Sequence, residues 1–169
     1  MSRDSCLLLV EGGGGSGKTS ILAKLAQNIS KLCPKPKCSL ILRFIGTTQE
    51  SSSVIPLMKS ICQQISYNFM ISMDNIPDDL IRLSFYFKQL LLNASKEQPV
   101  FIILDAINQL SGPPEAAIKL CWLTNELPKN VRVIISCVAD EHCKEHKFLR
   151  KVIKEEFVLQ VKTMDKLLA

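Results

Sequence analysis

Between the apolar run Cys6 to Glu11 and an amphipathic segment starting at Thr19 lies Gly12-Gly-Gly-Gly-Ser16-Gly17-Lys18-Thr19, and this octapeptide constrains the chain more than any other feature. It fits G-x-x-x-x-G-K-T, with Gly12, Gly17, Lys18 and Thr19 at the fixed positions. Glycines let successive backbone N–H groups turn inward and approach phosphate oxygens, and a following helix adds the partial positive charge of its N-terminus. Lys18 is spaced to reach β and γ phosphates, and the Thr19 hydroxyl to ligate Mg²⁺. Gly13, Gly14, Gly15 and Ser16 supply the backbone between. Ser20 either meets an α-phosphate or faces solvent. At average residue frequencies a chance match arises in well under about 1% of chains of this length.

The rest of the chain repeats a strand–helix alternation. Ile21, Leu22, Leu25, Ile29 and Leu32 keep helical spacing, and Pro34 and Pro36 end that helix. Ser39 to Gly46 reads as a second strand, and Ser51 to Ser53 as the cap of a helix reaching about Phe69. Pro77-Asp78-Asp79 opens a helix to Leu91 with an acidic first turn. Val100 to Asp105 is a continuous apolar strand of the kind covered on both faces. Pro113 and Pro114 open a helix to about Leu127, Val131 to Ser136 makes a fourth strand, Asp140 to Lys154 a helix, and Glu156 to Val161 a fifth strand. This alternation predicts an α/β fold, a doubly wound five-stranded parallel sheet of the P-loop NTPase type, in which ligands meet the C-terminal ends of the strands.

Composition narrows the alternatives. A chain of 169 residues that is 47% hydrophobic suits one domain over 1–169. Its longest apolar runs are strand-length, which excludes a bilayer-spanning helix among them. The start, Met-Ser-Arg-Asp-Ser-Cys, lacks the pattern of a cleavable signal. With those two readings a cytoplasmic location is expected, and the seven cysteines, odd in number and without CxxC spacing, read as reduced, buried packing residues. The net charge of +5 is mild, and the basic clusters at Lys31 to Lys37 and Lys144 to Lys154 read as solvated helix ends rather than a nucleic-acid face.

Phosphate-loop NTPases also need a carboxylate at the end of a nearby strand to hold Mg²⁺, and Asp105 follows five apolar residues. From that point the chain is specific. Leu104-Asp-Ala-Ile-Asn-Gln-Leu110 resembles the corresponding segment of NACHT domains, in the STAND class of NTPases. Ile45 to Ser53 followed by Ile61-Cys-Gln-Gln-Ile65, and Trp122 to Ser136, are similar to the NACHT and WD-repeat subgroup. The resemblance runs from Leu7 to about Val161. It implies an ATP/ADP-binding signalling switch with Mg²⁺ as cofactor, acting through homo-oligomers or protein partners. Such proteins continue into helical and winged-helix domains and a repeat sensor, so the resemblance implies the core of a longer protein.

Two departures bear on catalysis. Many NACHT domains carry Asp-Gly/Ala-x-Asp-Glu here, and the resemblance associates the later two carboxylates with Mg²⁺ and water activation. This chain has Asn108 and Gln109 instead. An amide can orient a water but cannot take its proton. After the fourth strand, where the family often has a sensor arginine, the chain reads Ser136-Cys137-Val138. Ser136 is either a phosphate-sensing hydroxyl or a simple strand-end serine. The expectation is weak NTPase activity, slow or dependent on a neighbour, with Lys18 and Asp105 the main catalytic candidates and Asn108 and Ser136 secondary ones. A non-hydrolysing nucleotide-binding scaffold is the alternative, and a small-molecule kinase the next. The kinase would need an arginine-bearing lid that no segment clearly offers.

Other constellations carry less. His142 and His146 are spaced i, i+4 near Cys143 and Glu145, but a lysine-rich solvent helix accounts for them better than a metal site. Glu11 reads as a strand-end residue rather than a base, and Arg43 as packing or an edge charge. No Asn-Lys-x-Asp segment for guanine occurs, which favours adenine.

Overall fold

The computed structural model describes residues 6–32, 38–123 and 126–162. Strands β1 (Cys6–Gly12), β2 (Ser39–Phe44), β3 (Val100–Asp105), β4 (Val131–Val138) and β5 (Val158–Gln160) form one parallel sheet in the order β2-β3-β4-β1-β5. This is the P-loop NTPase fold. The helices are α1 (Lys18–Leu32), α2 (Val54–Asn68), α3 (Leu80–Glu97), α4 (Ala116–Lys119) and α5 (Lys144–Val152).

The two sides of the sheet are covered unequally. On one, Leu22 and Ile29 of α1 pack with Val10, Phe101, Ile103 and Ile134. On the other, apolar residues of α2, α3 and α5 close over Leu7, Leu9, Ile41, Ile102, Leu104, Val133 and Ile135. Alternate residues of β3 therefore belong to different cores, which is why its apolar run is unbroken and every one of its residues is buried. Arg43, on the edge strand β2, is tied to α2 through Ser60 and Gln64 at 2.8–3.2 Å.

Several helix boundaries differ from the sequence expectation. The helix expected from Pro113–Pro114 to about Leu127 shrinks to α4, because Leu120, Trp122 and Leu123 are drawn into the core. Trp122 packs edge-on against Phe87, with ring centroids 5.7 Å apart, and its indole N–H donates to the Lys119 carbonyl at 3.1 Å. Burial of that ring outweighs helix propensity. Ser53 occupies the N-cap of α2 without a side-chain capping bond; instead the Val54 amide donates to the Ser111 carbonyl at 3.0 Å. The acid expected inside the first turn of α3 lies before it, where Asp79 caps the Arg82 amide at 2.9 Å, and the helix continues past Leu91 to Glu97. α5 starts at Lys144 rather than Asp140, which instead accepts from the His142 amide in a turn. Of the cysteines expected to be buried, Cys62 and Cys137 are, Cys6, Cys38 and Cys143 are half-buried, and Cys121 is exposed; Cys33 and residues 34–37 of the basic cluster lie outside the described residues.

Candidate functional site

The phosphate loop leaves β1 and Asp105 ends β3, so β4 lies between them. Register closes the gap. Leu104 pairs with Ile135 and Val10 with Ser136, which puts Ser136 level with Asp105 on one side and with β1 on the other. The Ser136 hydroxyl donates to Asp105 Oδ1 at 2.5 Å, and the Thr19 hydroxyl donates to Asp105 Oδ2 at 2.6 Å. One buried carboxylate thus joins the first turn of α1 to β3 and β4.

The loop itself is backbone open to space. Side-chain carbons added at Gly13, Gly14, Gly15 or Gly17 would meet nothing within 4 Å. Gly17 has φ +92°, a conformation side-chain-bearing residues rarely adopt. Gly12 is needed for a different reason, since a Cβ there would stand 2.3 Å from the Val161 carbonyl oxygen. Lys18 Nζ donates to the Gly12 and Gly13 carbonyls at 2.8 and 2.7 Å and lies 3.3 Å from Ser16 Oγ. Ser20 is exposed in the first turn of α1.

Beyond Asp105 the chain turns sharply. Ala106 is left-handed, with φ 60° and ψ 52°, and its amide donates to Ser136 Oγ at 2.7 Å. That conformation costs a residue with a Cβ about 1–2 kcal/mol. The turn aims Asn108 at the end of β4, where its Oδ1 accepts the Val138 amide at 3.2 Å. Asn108 therefore braces the strand end at which the sensor arginine was sought. Gln109 is exposed and lies against Gly46, at the close of β2.

Glu11 is the residue whose role sequence reasoning underestimated. It is 4% exposed, one step before the loop. His146 Nε2 lies 2.8 Å from its Oε2, Gln160 Nε2 donates to Oε1 at 3.0 Å, and Arg150 Nε lies 3.7 Å away. Of the solvent-helix reading of the histidines, exposure holds for His142, which lies in the turn before α5, and fails for His146, which is on the helix but turned inward onto Glu11. A lone buried carboxylate so close to the loop needed partners, and that requirement was the signal available in the sequence. No group of three or more His, Cys, Asp or Glu side chains placed to hold a metal ion occurs among the described residues. Lys119 and Glu145 form a second nearly buried pair at 2.7 Å, and Lys119 also donates to the Leu110 carbonyl at 2.9 Å. Burial works against the Glu145 carboxylate, but the Lys119 hydrogen bond and charge and the donors around it hold its pKa below the ordinary value.

A cavity of about 650 Å³ lined by Cys38, Tyr67, Asn68, Met70 and Gln98 opens near the start of β2. It lies at the wrong end of the strands for the phosphate loop.

The sequence model of the NACHT domain matches residues 6–167. The chain belongs to the NACHT family. It is 37% identical over 154 residues to NACHT and WD repeat domain-containing protein 2 of Mus musculus, and 33% identical over 135 residues to nephrocystin-3 of Homo sapiens. These alignments cover 88% and 76% of the chain but only 9% and 10% of the relatives, so this NACHT domain matches a small part of much longer proteins. In fold it is similar to the crystal structure of Cdc6p from Pyrobaculum aerophilum (TM-score 0.53, 15% identity, covering 93% of this chain and 39% of that one). C. elegans PCH-2 is comparable (TM-score 0.51, 18% identity, covering 92% and 35%). No helix among the described residues is long and apolar enough to cross a membrane.

Proposed function

We propose that this NACHT domain is an ATP- or ADP-binding switch module of a longer cytoplasmic protein, with hydrolysis that is slow or partner-dependent and nucleotide state controlling oligomerisation or access to protein partners. One observation carries the reading: Asp105 bonds the Thr19 hydroxyl with one oxygen and the Ser136 hydroxyl with the other. The phosphate loop and β4 therefore share a single carboxylate. Any rotation of that carboxylate is felt at Ser136 and, through it, at the Ala106 amide.

The residues fit a magnesium nucleotide on two counts. Thr19 and Asp105 present adjacent hard oxygens, the donor type Mg²⁺ prefers, and the glycine cradle leaves backbone amides open to a phosphate chain. When bound, Mg²⁺ would offset phosphate charge, with Thr19 and Asp105 holding it. Lys18, at the mouth of the loop, would exchange its carbonyl partners for phosphate oxygens, and Gly12 to Ser20 would form the binding surface. Slow turnover follows from Asn108 and Gln109. Neither amide accepts a proton, and Asn108 already spends its oxygen on Val138. That same bond supports the second reading, a non-hydrolysing scaffold.

Isothermal titration with ATP, ADP and GTP in Mg²⁺, followed by single-turnover hydrolysis, tests the proposal. Binding of ATP and ADP in preference to GTP, with slow turnover that rises in the Asn108→Asp, Gln109→Glu double variant, is the expected result. Absence of nucleotide binding, or rapid hydrolysis by the isolated monomer, would sink it.

A further inference from the structure

Cys137 at the end of β4 and Cys143 at the N-cap of α5 bracket a short loop, and their sulfurs stand 4.0 Å apart. A disulfide bond is about 2.05 Å long, so the sulfurs need to approach by about 2 Å. The two thiols are not equivalent. Cys143 is half-buried, its thiol donating to Glu145 Oε2 and its sulfur accepting the His146 amide, both at 3.5 Å. Cys137 is fully buried, and burial, reinforced by Cys143 and Glu145, pushes its thiol far above the usual range. Cys143 is thus the sulfur that a reagent can reach, and Cys137, 4.0 Å away, is the one placed to attack it once modified, its raised pKa making that second step the slow one.

The loop between them is tied to the phosphate site. Val138 donates to Asn108 Oδ1 at 3.2 Å, and Ala139 donates at 3.0 Å to the Gly12 carbonyl that also accepts from Lys18. The residues directly after Cys137 therefore connect the thiol pair to Asn108 and to the phosphate loop.

We propose that Cys137 and Cys143 form a redox-modification site, converted to a disulfide by exchange with a small-molecule disulfide, and that the cross-link weakens nucleotide binding at the adjoining loop. The second half rests on the nucleotide reading above. In the exchange, the Cys143 sulfur attacks the reagent disulfide, a new S–S bond forms, and one reagent thiol leaves with the Cys143 proton. Cys137 then gives up its proton and attacks Cys143 Sγ, expelling the second reagent thiol. The two cysteines lose two electrons and the reagent disulfide gains them.

Oxidised glutathione, added to the 169-residue chain carrying Cys121→Ser to remove an exposed competing thiol, provides the test. Both cysteines fall in the tryptic peptide Val133 to Lys144. That peptide should become lighter by two hydrogens, revert with dithiothreitol, and stay unchanged in this sense when Cys143→Ser is added. The oxidised form should bind ATP about fivefold more weakly than the reduced form. A persistent glutathione adduct, unmodified thiols, or a cross-link with unchanged ATP affinity would overturn the proposal. If the reduced chain binds no ATP, the nucleotide reading and the coupling fall together, while the peptide mass still decides the thiol pair.

Discussion

The phosphate loop and the segment that follows Asp105 sit at the same edge of the sheet but are built on opposite plans. From Gly13 to Gly17 the chain is nearly bare backbone, open to solvent and touched by few side chains. From Asp105 to Leu110 it is wired at almost every residue: Asp105 to Thr19 and Ser136, Ala106 to Ser136, Asn108 to Val138, and Leu110 to Lys119. An open cradle separates binding from folding, because its donors are left for a ligand. A wired segment joins them, because each group that could sense the ligand also holds the fold together.

Substitutions can break that contrast or sharpen it. The largest stability loss is expected from Glu145→Gln, which leaves the nearly buried Lys119 ammonium with neutral acceptors and no counter-charge; breaking such a pair costs about 3 kcal/mol in denaturant unfolding. The wild-type pair also has a pH signature. Because the folded Glu145 carboxyl has its pKa lowered from 4.5, its contribution is complete above that value and lost as pH falls through the lower folded pKa. Glu145→Gln should lack that acid limb, and an identical acid profile in both proteins would show that the pair is not responsible.

Lys18→Ala comes next and should act on binding alone. Loss of a charge-assisted contact of about 1.5–3 kcal/mol weakens ATP affinity roughly ten- to a hundredfold. The melting temperature without nucleotide should barely move, and a large drop would mean the loop is as structural as its neighbour. Asp105→Ala should do both kinds of damage. It strips the Thr19 and Ser136 hydroxyls of their acceptor, at about 1–3 kcal/mol of stability, and abolishes any Mg²⁺ dependence of nucleotide binding. Stability equal to wild type would count against the wiring. The smallest effect runs the other way: Ala106→Gly relieves the left-handed backbone and, after the greater entropy of an unfolded glycine is subtracted, should stabilise by about 0.5 kcal/mol. A destabilised variant would mean that the Ala106 methyl packs usefully.

How far each region was legible follows from the same contrast. Gly12, Gly17, Lys18 and Thr19 act through type and local spacing, so reading them required only neighbours in sequence. The apolar run of β3 announced a strand covered on both faces, and Asp105 at its end was readable for that reason. Helix ends were harder to place. The segment after Pro114 keeps an apolar helical rhythm, yet the Trp122 ring finds a better site against Phe87, and the helix stops after Lys119.

The sequence by itself determined the phosphate loop, the βα alternation, the NACHT resemblance and the replacement of two family carboxylates by Asn108 and Gln109, since all of these are patterns within short windows. Tertiary structure alone decided that Ser136 shares the Asp105 carboxylate, that Asn108 braces β4, that His146 meets Glu11 across 135 positions, and that Cys137 faces Cys143. The first three contacts depend on strand order and register, and the last on how the loop after β4 folds back into α5. A parallel sheet pairs residues far apart in the chain, and the identity of a buried polar group shows that it needs a partner without showing which one.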